Sequence, residues 1–523
     1  MKYLNKNTLL IALLFSGFAC TDLEEDLNDS LTERQDVNNP GFGASTNVNG
    51  SIPNDGLTPA FSTIRNGVAW HGSYFSVSEI STDEAVITQK GGDWFDGGIW
   101  LNMHRHDFRS TNPGLNGAWG DIYGGVAQCN NLLGEGGLSD NAVAQLRVLR
   151  AYYFWKLMDM FGNIKLTVTA GVDVPQSTRT EAFNFIEAEI LEVVDDLGEG
   201  RADYGRISQG AAYALLARLY LNAEVYTGTA RWQDAIDAAD MVINSGNYDL
   251  DYTYQEGPDG RMVSAVFSPD NVDNIEHILV APFDEATGGG MNLAQMTLHY
   301  PSQLTYDLQE QPWNGYSTLE EFYNSYDDAD KRKDANFIAG PQTDINGNPI
   351  LDVAFDKADP DGAPINYTPA INELAPNGSR QAGARLGKFS FKLGQINDMD
   401  NDYTLLRYGD VLLMKAEALC RRDGNWANAE AVSLVNMIRD RAGLDGYTTM
   451  TEDTFFAERG REMFQESIRR TDLIRFRRWG NEWWEKDSYA FDYNDYRAIM
   501  PIPLDQINAS AAGIQLEQNP GYN

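Results

Sequence analysis

Gly210-Ala-Ala-Tyr-Ala-Leu-Leu-Ala-Arg-Leu-Tyr-Leu221 reads as a helix of small and leucine residues. After a polar turn, Trp232 opens a second run with Ala235, Ile236, Ala238, Ala239, Val242 and Ile243, closed by Asn244-Ser245-Gly246. The same plan recurs about two hundred residues later. Asp410-Val-Leu-Leu-Met-Lys-Ala-Glu-Ala-Leu419 is followed by a turn, and Trp426 is expected to open a partner helix with Ala429, Val432, Val435 and Ile438, ending at Gly443. In both copies a Trp lies three residues before an Ala on the second helix. Small residues let paired helices approach closely, and such pairs bury a continuous core only by stacking. The expected fold is therefore mostly α, a tetratricopeptide-like array of helix pairs.

Working outward, Leu146, Leu149, Tyr153, Leu157 and Met160 recur at threes and fours, which predicts a helix from Ala142 to about Phe161-Gly162. A further helix is expected from Phe183 to Leu197. Residues 251–400 are rich in Gly, Pro, Asn and Asp, with turns such as Asn346-Gly347, and predict an irregular lobe of long loops and short strands. The expected divisions are a signal peptide at 1–19, a tether at 20–58 and a helical-repeat part with ligand-binding loops at 59–250. The irregular ligand lobe at 251–400 and a C-terminal helix pair and tail at 401–523 complete them.

The start of the chain speaks to compartment. Lys2 and Lys6 precede the apolar run Leu9 to Phe15, and small residues lead to Gly17-Phe18-Ala19-Cys20. That run is far shorter than the ~20 apolar residues a membrane span needs, and its flanks have the order of a secretory signal. The ending resembles a bacterial lipobox, with Cys20 as the expected lipid-bearing residue, although Gly17 and Phe18 depart from the usual pattern. The acidic cluster Asp22 to Asp26 resembles the export tag of Bacteroidetes surface lipoproteins. With Cys20 lipidated, only Cys129 and Cys420 remain, too few for a disulfide scaffold. The expected location is the outer face of the outer membrane, through a lipid anchor.

Charge excludes whole classes of partner. The 523 residues carry 40 Lys+Arg against 76 Asp+Glu, a net charge of −36, and loss of residues 1–19 would take two lysines and no acid, leaving −38. A surplus of this size repels nucleic acid and anionic polymers, so a neutral ligand is expected.

Several further spans, taken in order, resemble the SusD/RagB family of Bacteroidetes nutrient-uptake lipoproteins across essentially the whole mature chain. They include Leu149-Arg-Ala-Tyr-Tyr-Phe154, Asn314-Gly315, Asp330-Lys-Arg332, Arg407-Tyr-Gly-Asp-Val-Leu-Leu-Met414 and Ile438-Arg-Asp-Arg-Ala-Gly-Leu444. Glu458-Arg-Gly-Arg-Glu462, Asp472-Leu-Ile-Arg-Phe476, Pro501-Ile-Pro503 and the terminal Gln518-Asn-Pro-Gly-Tyr522 complete the set. The resemblance implies four tetratricopeptide-like helix pairs under a loop-rich lobe that presents the ligand site. It also implies a glycan cargo and docking on a SusC-like TonB-dependent transporter.

No catalytic signature accompanies this pattern. There is no Gly-x-Ser-x-Gly, His-Glu-x-x-His, Cys-x-x-Cys or dinucleotide fingerprint, and Gly383-Ala-Arg-Leu-Gly-Lys388 lacks both the spacing and the hydroxyl of a phosphate loop. No cofactor and no metal are expected. His104 and His106 would share one side of an extended strand, but without a third ligand they are read as ordinary hydrogen-bonding groups. The Arg459, Arg461, Arg469, Arg470, Arg475, Arg477, Arg478 run is interleaved with Glu458, Glu462, Glu466 and Asp472, which predicts internal ion pairs rather than an anion site.

The ligand is expected at residues 79–123, where two glycine pairs flank aromatics and acids in a composition that reads as a shaped loop. A neutral sugar offers a flat C–H face to an aromatic ring and rim hydroxyls to polar side chains. Trp94 and Trp100 are the candidate platforms, with core burial as the alternative for each. Asp83, Lys90 and Asp93 are the candidate hydroxyl partners. Trp313, with Asn314 beside it, is a third aromatic candidate in the loop-rich middle, where the resemblance places an aromatic next to the glycan. The leading expectation is a surface lipoprotein that captures oligosaccharide, with laminarin-type β-glucan as the specific suggestion. The alternatives are a surface glycosidase using a carboxylate pair and a repeat-based peptide-binding scaffold.

Overall fold

The computed structural model describes residues 56–201, 203–284, 289–353, 361–511 and 513–522. The expected signal peptide, Cys20 and most of the tether lie outside the described residues. Leu57 is already fully buried, and a short helix follows at Thr58–Ser62.

The stacked helices are the frame. Pro113–Glu135 packs on Asp140–Phe161, which packs on Arg179–Leu191. Gln209–Leu221 touches that third helix and packs on Trp232–Ile243. Trp232–Ile243 then packs on Tyr408–Asp423, and that helix on Ala429–Arg441. The two alanine-rich copies therefore form one continuous array, and the chain leaves it at Ile243 and returns at Tyr408. Ala235, Ala238 and Ala239 are buried, as are Ala416 and Ala418 on the facing helix, which is where short side chains permit close approach.

Local chemistry corrects several expected boundaries. The helix expected at 183–197 runs from Arg179 to Leu191, because Thr178 and Glu181 form a reciprocal capping box that fixes its start. Trp426 does not open its helix: the Asn428 side chain accepts from the Ala431 N–H at 3.0 Å, so the helix begins at Ala429. The expected loop at 79–123 contains the helix Ile99–His104 and the start of Pro113–Glu135. The latter carries six glycines, which depress helix propensity and disguise it as a loop. At Gly125 the reason is packing, since a Cβ there would collide with the Tyr153 ring. His104 and His106 are likewise not on a strand. His104 ends a helix and bonds the Trp484 carbonyl at 2.8 Å, while His106 bonds the Ser81 carbonyl at 2.8 Å.

The lobe between the copies is built from short antiparallel ribbons. Among the described residues six two-stranded sheets occur, none longer than the pair His277–Ala281 and Tyr403–Arg407. An arginine–carboxylate lattice ties this pair to the helix Glu452–Met463. Arg407 meets Glu276, Glu462 and Glu466 at 2.7 Å each, and Arg441 meets Glu276 at 2.6 Å and also Glu462. The arginine run is spent in the same way. Arg459 meets Asp410 and Asp472, Arg470 meets Asp159, and Arg475 meets Glu417 and Asp472. Arg461 and Arg478 pair with Glu458 and Asp453. Arg477 instead lies over the Tyr493 ring, 4.6 Å from its centroid. Because these internal cations are matched by internal carboxylates, the net negative charge of the chain is carried by its outer surface.

Candidate functional site

One ribbon creates the site. Ala85–Ile87 pairs antiparallel with Tyr316–Thr318, Ile87 opposite Tyr316, and this brings residues 88–100 beside residues 311–316. Beyond the ribbon, the backbones of Lys90 and Asp93 exchange hydrogen bonds at 2.9 and 3.1 Å across Gly91-Gly92, a tight turn in which Gly91 has φ +66°. Trp94 follows at φ +60°, a costly conformation for an aromatic residue. Two partners hold it. Its Nε1 donates to the Trp313 carbonyl at 2.6 Å, and its ring lies where a Cβ on residue 315 would be, so Gly315 is required there. On the opposite side the Trp313 and Gly315 N–H groups donate to the Gln295 and Met296 carbonyls at 2.7 and 2.9 Å.

Between these segments opens a cleft of about 510 Å³, lined by His71, Asp93, Trp94, Asp96, Tyr300, Gln311, Pro312 and Trp313. Its scale suits a small-molecule or saccharide ligand. Aromatic rings form its walls. The His71 ring lies 5.1 Å from that of Trp94, 6.1 Å from that of Trp313 and 5.8 Å from that of Tyr316. Burial holds the His71 imidazole down at about 4 against a smaller opposing pull from Asp96, so it is neutral at pH 7. The Tyr300 hydroxyl donates to Asp93, and Trp100 Nε1 donates to Asp96 Oδ2 at 2.7 Å. Among the described residues the lining contains no Lys or Arg. Two carboxylates and a neutral imidazole favour hydroxyl groups and disfavour anions.

Of the residues singled out in the sequence, Asp93, Trp94 and Trp313 line this cleft together. The other four sit elsewhere. Asp83 forms a two-point ion pair with Arg469, both contacts 2.7 Å, because that arginine needs a carboxylate in the interior. Lys90 is buried, and its Nζ donates to the carbonyls of Thr88 at 3.3 Å and Gly315 at 3.2 Å. It therefore fastens the loop behind Trp94, and its burial pushes its pKa well down. Trp100 is buried behind His71, with ring centroids 4.9 Å apart, and supports the cleft through His71 and Asp96 without lining it. Asn314 is fully buried at φ +58°, a conformation asparagine tolerates, and its N–H donates to the Leu298 carbonyl at 2.9 Å.

His71, Asp96, Tyr300, Gln311 and Pro312 escaped the sequence reading. The pair Trp70-His71 before Gly72 was a signal of the same kind as the one at Trp94, and Trp70 remains 41% exposed near the cleft's lining. Tyr300 gave no local sign, since its role depends on reaching Asp93 across the chain.

Residues 247–522 match the SusD family model, and residues 69–221 match the model described as starch-binding associating with outer membrane. Starch-binding protein SusD of Bacteroides thetaiotaomicron is 27% identical over 423 residues, covering 72% of each chain. Among solved structures, a laminarin binding SusD-like protein is 22% identical with TM-score 0.66, covering 89% of this chain and 98% of that one. Surface glycan-binding protein A from Bacteroides thetaiotaomicron, in complex with laminarihexaose, is 20% identical with TM-score 0.68, covering 89% and 99%. At these identities the structures speak to the fold alone. The family match spans more than half of the sequence in the region that carries the irregular lobe, the second helix copy and the arginine lattice, and the chain belongs to the SusD family.

Proposed function

We propose that the protein captures a neutral oligosaccharide at the cell surface, in the cleft between the Trp94 and Trp313 loops, and hands it to a SusC-like TonB-dependent transporter without covalent chemistry. The observation that carries this reading is the cleft's lining: aromatic walls with two carboxylates, a neutral imidazole and no cation. Trp313 provides the partly exposed ring face, Trp94 holds it in place, and Asp93 and Asp96 accept from sugar hydroxyls. A laminarin-type β-glucan is the specific ligand we favour. The laminarin-binding and laminarihexaose-bound structures share the fold, and an acidic surface tolerates a neutral glucan. Starch-type α-glucan is the competitor that the relative's name suggests. Lipid attachment at Cys20 supplies the anchor to the outer face of the outer membrane.

Isothermal titration against laminarihexaose, a maltooligosaccharide, a uronic-acid oligomer and a sulfated glycan tests the reading, with reducing-sugar release measured on the same samples. Binding of a neutral glucan without turnover is expected. Binding confined to the anionic glycans, or steady sugar release, would sink it.

A further inference from the structure

Behind the cleft, ending at His71 in its lining, runs a hydrogen-bond relay whose direction follows from burial and from the partners each group has. Ser76 lies on the helix Tyr74–Ile80 and is fully buried, and its Oγ accepts from the Gly72 N–H at 2.8 Å. That oxygen is also 2.5 Å from the Tyr316 hydroxyl, which is 3.0 Å from His71 Nδ1. Tyr316 is fully buried as well. Two proton arrangements fit these distances. In the first, Ser76 donates to Tyr316 and Tyr316 donates to His71 Nδ1, so every buried hydroxyl proton has an acceptor. In the second, His71 donates to Tyr316 and Tyr316 to Ser76, and the Ser76 proton is left in the interior with no acceptor among the described residues. An unmade buried hydrogen bond is disfavoured by about 1–3 kcal/mol, enough to select the first arrangement by ~5-fold or more.

We propose that the Ser76–Tyr316 relay fixes His71 as the Nε2–H tautomer, making it the specificity-determining donor that presents one N–H to a ligand oxygen in the cleft. Nε2 makes no hydrogen bond to protein among the described residues, and His71 lines the cleft beside Asp93 and Asp96. The carboxylates can only accept. A sugar is therefore read by pairing its hydroxyl protons with Asp93 and Asp96 and one of its oxygens with His71. Tyr316 is the positioning residue that acts through the imidazole, and Ser76 completes the hydrogen bonding of the Tyr316 hydroxyl. The relay itself is a property of the free protein, while its role in recognition rests on the function proposed above.

The test separates the two. Nitrogen-15 NMR on the histidine-labelled full chain, without ligand, reads which ring nitrogen carries the proton, with His71→Gln assigning the signal among the five histidines. Nε2–H is expected in the wild type and in Ser76→Ala, where Tyr316 still donates, and mixed tautomers are expected in Tyr316→Phe. An Nδ1–H wild type, or a Tyr316→Phe spectrum identical to it, would overturn the relay whatever the protein binds. With laminarihexaose as the titrant, His71→Leu should weaken binding ~10-fold or more, and His71→Gln, whose amide N–H replaces Nε2–H, should stay within ~3-fold. Equal affinities for the Leu and Gln variants would overturn the donor role. Absence of binding by the wild type would instead count against the proposed ligand and leave the tautomer result to decide the relay.

Discussion

Replacing Trp313 and Trp94 separately by alanine divides the cleft's contribution to binding from its contribution to folding. Trp313 is half-buried, and what Trp94 takes from it is the backbone carbonyl, at 2.6 Å from Nε1, which Trp313→Ala leaves in place. If a saccharide unit covers ~60–80 Å² of that ring at ~25 cal/mol per Å², the ring holds it by about 1.5–2 kcal/mol, or ~10–30-fold in Kd. Folding should lose less than at Trp94, about 1–3 kcal/mol, because the Trp313 side chain is only partly buried against the core. Trp94 is only 8% exposed and is packed over Gly315 and edge-on to His71 and Tyr316. Its truncation opens an interior cavity and should cost about 3–5 kcal/mol of stability, with binding lost as a consequence of the collapsed wall. Calorimetric titration with the glucan that the wild type binds, alongside urea unfolding of both variants, measures the two effects. A Trp313→Ala protein that binds within 2-fold of wild type, or a Trp94→Ala protein with an unchanged urea midpoint, would refute this division of labour.

Two further outcomes follow from the interior. Arg407→Met should destabilise the protein by about 3–5 kcal/mol in urea unfolding, because Glu276, Glu462 and Glu466 lose a shared buried cation, and an effect below 1 kcal/mol would show that Arg441 and Lys388 suffice for all three. Acid should destabilise in two stages. His71, His104 and His277 are held at about 4 by burial, below their unfolded 6.5, so they remain neutral in the fold while the unfolded chain takes up protons, and stability falls as pH drops from 6.5 toward 4. Glu417 and Glu458, held near 2 by their arginines against an unfolded 4.5, add a second loss as pH falls from about 4.5 toward 2. Glu79 and Asp402, raised to about 7 by burial, and Glu84, also pushed well up by burial, take up protons in the fold and soften the first stage, while His106 and His299, lowered by burial as well, reinforce it, so that five histidines outnumber these three carboxyls. A urea midpoint that stays constant from pH 7 to 5 would contradict neutral histidines in the interior.

The helix copies at 210–243 and 410–441 were legible because close packing needs small residues at fixed spacing, and that spacing survives in one dimension. The same logic failed at Pro113–Glu135, where glycines chosen to admit Tyr153 and other neighbours erased the helical pattern. In the site, the Gly-Gly pair and the tryptophans announced a shaped loop. They did not announce which polar residues face the ligand. Asp83 and Lys90 have the right chemistry for sugar, but each is consumed by an interior partner far along the chain, Arg469 in one case and Gly315 in the other. His71 was passed over for the complementary reason: its value lies in its contact with Tyr316, a partner 245 positions away.

Sequence by itself determined the helical frame, the acidic surplus and the family, since periodicity, composition and ordered motifs are properties of the linear chain. Only the tertiary structure decided where the cleft lies and what lines it. Residues 71, 93–96, 300 and 311–313 meet because a three-residue ribbon pairs strands some 230 positions apart. Hydrogen-bond partners and burial, which set the charge and direction of every group in that cleft, exist only once those strands have met.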